Sequence, residues 1–118
     1  MLEVTFYRDG NGRFSGFGGR GHTDFADHGE DIVCAAVSAI LQAAALGLAE
    51  HAGATMDSRQ EPGLLDLTWD ERQGERESVQ AIVATAELAV EQIARRFPKH
   101  VSLKRVTNAA NRRRTDDV

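Results

Sequence analysis

Leu2, Val4 and Phe6 alternate with Glu3, Thr5 and Tyr7 at the start of the chain. Side chains on a strand point to opposite faces in turn, so this pattern predicts a strand with one buried face. Asp9-Gly10-Asn11-Gly12 follows, a strong hairpin-turn signal. A second strand is expected from about Arg13 to about Gly19, weakened by its glycines. Gly21 to Glu30 is polar and shows no periodicity. Asp31 to about Ala52 is alanine-rich and reads as a helix, with Gly53 placed to stop it as a C′ residue. A strand around Ala54–Arg59 leads to the turn Pro62-Gly63. Leu65, Leu67 and Trp69 then alternate with Asp66 and Thr68, a further clear strand. From about Glu75 the period changes. Val79, Ile82, Val83, Ala86, Val90, Ile93 and Phe97 share one helical face. Pro98 ends that helix, and Arg95 and Arg96 in its last turn suit the dipole. Val101 and Leu103 begin a last strand. The predicted order is ββαββαβ. The fold class is α+β, with two helices packed on a mostly antiparallel sheet.

Composition narrows the class. The chain has 118 residues, 42% hydrophobic and 27% charged, which fits one globular domain rather than a disordered or fibrous chain. A single cysteine excludes an intrachain disulfide framework and any cysteine-rich zinc finger. Ile32 to Ala49 is apolar but mostly alanine and interrupted by Ser38, Gln42 and Gly47. Its residues are too small for it to be read as a membrane span. The start, Met1-Leu2-Glu3-Val4, lacks the positive flank and apolar core of a signal peptide. A soluble cytoplasmic protein is expected.

The net charge of −4 hides an asymmetry. Residues 1–94 carry 6 basic and 16 acidic side chains, whereas residues 95–118 carry 8 basic and 2 acidic. The acidic body disfavours nucleic acid and favours a basic partner. Residues 1–107 are taken as the domain and 108–118 as a solvated basic tail. Arg112, Arg113 and Arg114 are followed by Asp116 and Asp117 and have no aromatic platform for bases, so no direct nucleic-acid contact is expected.

Gly16, Gly18 and Gly21 formally satisfy GxGxxG. A dinucleotide site needs a helix to open inside that motif. Here the acidic run His22-Thr23-Asp24-Phe25-Ala26-Asp27 follows instead, so glycine is read as backbone freedom at a strand end.

The segment from Gly21 to Ser38 carries the candidate chemistry. Asp31 is a good N-cap. With Asp31 as cap, Cys34 is the third helical residue. Its sulfur then meets unpaired N–H groups at the positive end of the helix dipole, an environment that favours thiolate and can hold an oxyanion. His22 could fold back as general base and then acid. Ser38 lies one turn after Cys34 on the same face. Two other readings stand beside this one. A lone cysteine among alanines is commonly a small buried side chain. His22, His28 and Cys34 could also be metal ligands, although no close-spaced pair supports zinc, and neither metal nor cofactor is expected.

The stretch Gly21-His22, a loop with Gly29, then Asp31-Ile32-Val33-Cys34-Ala35-Ala36-Val37-Ser38 resembles the ribosomal-processing cysteine protease family, Prp. Two positions depart from the family pattern: Thr23 stands where alanine often follows the histidine, and the arginine-rich tail is longer. The resemblance implies a His22/Cys34 catalytic dyad supported by Gly21, Asp31 and Ser38. It also implies a homodimer. The implied activity is a cysteine endopeptidase that removes the N-terminal extension of large-subunit ribosomal protein twenty-seven. Asp24, Asp27, Glu30 and Asp31 would attract a basic ribosomal segment, and Phe25 would help a lid close over it. The alternative from another class is a non-catalytic ribosome-associated binding module.

Overall fold

The computed structural model describes residues 1–21 and 28–107, with side chains described for 1–21 and 32–107. Five strands form one sheet: β1 (Leu2–Arg8), β2 (Phe14–Arg20), β3 (Asp57–Glu61), β4 (Leu64–Thr68) and β5 (Val101–Thr107). Their order across the sheet is β3-β4-β2-β1-β5. All pairings are antiparallel except β1 with β5, which is parallel. Among the described residues three α-helices accompany the sheet: α1 (His28–Leu46), α2 (Glu71–Gly74) and α3 (Glu77–Arg96). The expected α+β class and element order hold, with α2 as an addition. Asp70 caps α2 by accepting from the Gln73 N–H at 3.1 Å. Asp70-Glu71-Arg72-Gln73 carries the capping-box spacing that could have revealed it.

The strand alternation explains the layers. Leu2, Val4 and Phe6 are buried, while Glu3, Thr5 and Tyr7 are only half-buried. The buried set meets Phe17, Leu67 and the inner faces of α1 and α3: Val33, Val37, Leu41 and Leu48 from the first helical segment, and Val79, Val83, Ala86 and Val90 from the second. Burying each of these aliphatic or aromatic side chains contributes roughly 1.5–3 kcal/mol of transfer free energy. The helices therefore cover one sheet face and leave the other to solvent, as an antiparallel sheet permits. At Gly19 a β-carbon would stand 2.9 Å from the Leu41 side chain, so the missing side chain lets α1 lie close on the sheet.

α1 runs on into a π-helical turn, Gly47–His51, and Gly53 follows at φ +62°. The Ala54 N–H then donates to the Leu48 carbonyl at 2.9 Å. This is the glycine stop expected from sequence. The segment Ile32–His51 is 20 residues long, and an 18-residue window within it has mean hydropathy 2.2 and is 28% buried. By length and apolarity alone it could cross a bilayer. Its inner side packs on the sheet.

α3 departs from its predicted face at two positions. Phe97 is exposed beyond the helix end, and Glu87 is buried at 7% exposure. Arg8 binds the Glu87 carboxylate with two nitrogens at 3.2 and 3.3 Å, and Arg105 binds it at 3.0 Å. The Arg8 guanidinium also lies 4.1 Å from the Phe14 ring centroid. One helical carboxylate thus ties β1 and β5 to α3. A buried charge survives only when paired in this way.

Candidate active site

The site is built on the end of β2 and on α1. β2 ends at Arg20, and Gly21 follows at φ +98°. A β-carbon at Gly21 would stand 2.5 Å from the Met1 carbonyl oxygen. Both the left-handed backbone and the close approach require glycine here. The Gly21 N–H donates to the Gly63 carbonyl at 2.9 Å, which fastens the chain just before His22. His22 and Phe25 themselves lie outside the described residues, as does the tail from 108 onward.

α1 begins at His28, three residues before the expected start. Asp31 is consequently the fourth helical residue and not the N-cap, and Cys34 is the seventh and not the third. This corrects the local argument. The helix dipole acts within about the first turn, and in a regular helix an N–H at the seventh position has its own i−4 carbonyl partner. Cys34 therefore sits past the free N–H groups. What the fold does supply is position. Cys34 is half-buried against the core, on the flank of α1 rather than its inner face. Ser38 is exposed one turn further along that flank. Cys34 is a free thiol. It is half-buried rather than fully buried. Among the described residues no three His, Cys, Asp or Glu side chains gather as a metal site.

A second feature was not legible in sequence. The open sheet face carries a trough of about 410 Å³ lined by Thr5, Tyr7, Gly18, Arg20, Arg59 and Asp66 among others. Burial raises the Asp66 carboxyl above the usual range, while Arg59 and Arg20 pull it back. Tyr7 is raised as well, by burial and then by the Asp66 charge. Strand register could have suggested this cluster, since Gly18 pairs with both Thr5 and Asp66, and Asp66 pairs with Arg59. Cys34 is not among the lining residues.

The chain matches the family described as cysteine protease Prp over residues 1–102. No curated protein matches it. Among solved structures, SMU.848 from Streptococcus mutans superposes with a TM-score of 0.81 at 26% identity, covering 91% of this chain and 95% of that one. The essential ribosomal processing protease Prp from S. aureus, in complex with a substrate peptide, superposes at 0.79 with 20% identity, covering 89% and 99%. The same protease with a covalently linked product peptide superposes at 0.78 with 20% identity and the same coverage. At these identities the S. aureus structures speak for the fold.

Proposed function

The chain belongs to the Prp cysteine protease family and is a cysteine peptidase; on that premise we propose that it removes an N-terminal extension from large-subunit ribosomal protein twenty-seven, with Cys34 as nucleophile and His22 as general base and acid. The observation that carries the reading is the free, half-buried thiol of Cys34 on the flank of α1, close in sequence to the strand end that holds Gly21 in place.

The chemistry follows from these groups. His22 takes the proton of Cys34, and the sulfur attacks the scissile carbonyl. The amine leaves with the proton from His22, and an acyl-enzyme remains. Water activated by His22 then releases the acid and restores the thiol. Since Cys34 lies beyond the free helix-start N–H groups, activation falls mainly on His22. Gly21, Asp31 and Ser38 support the dyad. Phe25 closes over the bound peptide. The acidic stretch Asp24–Asp31 receives a basic ribosomal-protein segment. That partner places the reaction in the cytoplasm, and the enzyme works as a homodimer. The S. aureus neighbour named as a ribosomal processing protease, with its bound substrate peptide, supports the substrate class.

The test is incubation with ribosomal protein twenty-seven of the same organism, followed by intact mass measurement. A single shortening at the N-terminus is expected. An unshortened protein, with Cys34 free and the enzyme folded, would contradict the substrate assignment.

A further inference from the structure

The sheet face that the helices leave open carries its charges in alternation. Glu3 of β1, Arg20 of β2, Asp66 of β4 and Arg59 of β3 stand on neighbouring strands. All four line the trough of about 410 Å³. Glu3 pairs in register with Arg20, and Asp66 with Arg59. Opposite charges set directly across a strand pair commonly attract each other into contact. Here, among the described residues, no hydrogen bond or ion pair joins any two of the four. Arg59 instead turns its Nε to Glu61 at 3.1 Å, outside the trough, which leaves its two terminal nitrogens open. Burial raises the Asp66 carboxyl against the pull of both arginines, as fits a carboxylate that faces them across a gap. Gly18 lies between Thr5 and Asp66 in register. A β-carbon there would stand 2.8 Å from Asp66 Oδ1, so glycine keeps the middle of the trough clear.

We propose that this trough binds a short peptide with both termini free, about four residues long and laid across the strands. Charge selects the ligand class. The lining holds two acids and two arginines, so a simple anion would face Glu3 and Asp66, and a simple cation would face Arg20 and Arg59. A nucleic-acid backbone carries one sign only and meets the same acids. Among the described residues no three acidic, His or Cys side chains gather to hold a metal ion. A zwitterion satisfies both signs. Distance selects its length. Glu3 and Arg59 are the outer charges, three strand spacings or about 14 Å apart. The charges of one free amino acid are too close together to span that gap, whereas four extended residues cover about 13–14 Å. The peptide ammonium lies at Glu3, and its carboxylate takes the two open nitrogens of Arg59, a bidentate match. Between them Arg20 donates to a peptide carbonyl, and Asp66 accepts a peptide N–H. The volume of about 410 Å³ lies within the 300–1,000 Å³ range of small-ligand sites. Cys34 does not line the trough, and the proposal does not rest on the protease chemistry.

The test is calorimetric titration of the full chain with tetra-alanine, after Cys34 has been blocked with iodoacetamide so that the thiol takes no part. One peptide should bind per chain. N-acetyl-tetra-alanine and tetra-alanine amide should each bind about tenfold more weakly, since each loses one charge-assisted contact, and free alanine should give no binding heat. Glu3→Gln should weaken tetra-alanine about tenfold and should make acetylation nearly neutral. Arg59→Gln should do the same for amidation. Circular dichroism confirms that each variant is folded, and the two variants test the two ends separately. Absence of binding by tetra-alanine to the blocked chain would overturn the proposal. So would equal binding of the free, acetylated and amidated peptides, or wild-type affinity in both folded variants.

Discussion

The Gly21 N–H reaches the carbonyl of Gly63 at 2.9 Å, so the strand end that precedes His22 is tied to the turn between β3 and β4. Gly21 holds φ +98° against the Met1 carbonyl. Gly21→Ala should therefore cost about 1–2 kcal/mol for the left-handed backbone alone, with further loss from the contact at Met1. Activity should fall further than stability, because the same change re-aims His22. Urea unfolding and peptide cleavage measured on one preparation separate the two. An alanine variant of wild-type stability and activity would show that the Gly21 conformation is not needed.

Glu87 sets up an asymmetric prediction. The carboxylate is buried, whereas its partners Arg8 and Arg105 keep 30% and 44% side-chain exposure. Removing Arg8 strands a charge that has lost its two-nitrogen partner, so Arg8→Met should cost about 2–3 kcal/mol. Glu87→Gln frees two arginines that can still reach water and should cost about 1 kcal/mol. The order of the two chemical-denaturation midpoints checks this. Equal midpoints would mean that Arg105 alone satisfies Glu87.

Asp66 predicts a pH effect of definite sign. Its carboxyl is raised above the ordinary 3.8, first by burial, against the pull of Arg59 and then Arg20. The folded state thus holds the proton more tightly than the unfolded state. Stability contributed by Asp66 is present below the ordinary value and is lost as pH rises through the raised one. Asp66→Asn should raise the melting temperature at neutral pH and leave it little changed in acid. A variant that is less stable at neutral pH would mean that attraction to the arginines outweighs desolvation.

These predictions also show where sequence was informative. The period-2 run Leu2–Tyr7 and the 3.6-residue run from Val79 set the layers, because burial of one face is a local pattern. Gly53 and Pro98 marked helix ends, because their backbone constraints are their own. The residue pattern starts α1 at Asp31, three residues late. Asp31 is a good cap in isolation, but a cap choice depends on where the loop enters. Glu87 was invisible, because a glutamate on a helix reads as solvent-facing until Arg8 and Arg105 arrive from distant strands. The Arg20, Asp66 and Tyr7 cluster needed the strand register.

The charged loop admits a kinetic prediction. Phe25→Ala should raise KM or lower kcat for the ribosomal peptide, since a lid contributes contacts made only once substrate is bound. An unchanged kcat/KM would count against that role.

The central claim is that Cys34 forms the bond to the substrate. The most direct measurement is cleavage of the extended ribosomal-protein N-terminus by Cys34→Ala, with circular dichroism confirming the fold. Loss of detectable cleavage in a folded variant is the predicted result. Cleavage at the wild-type rate by Cys34→Ala would contradict the account.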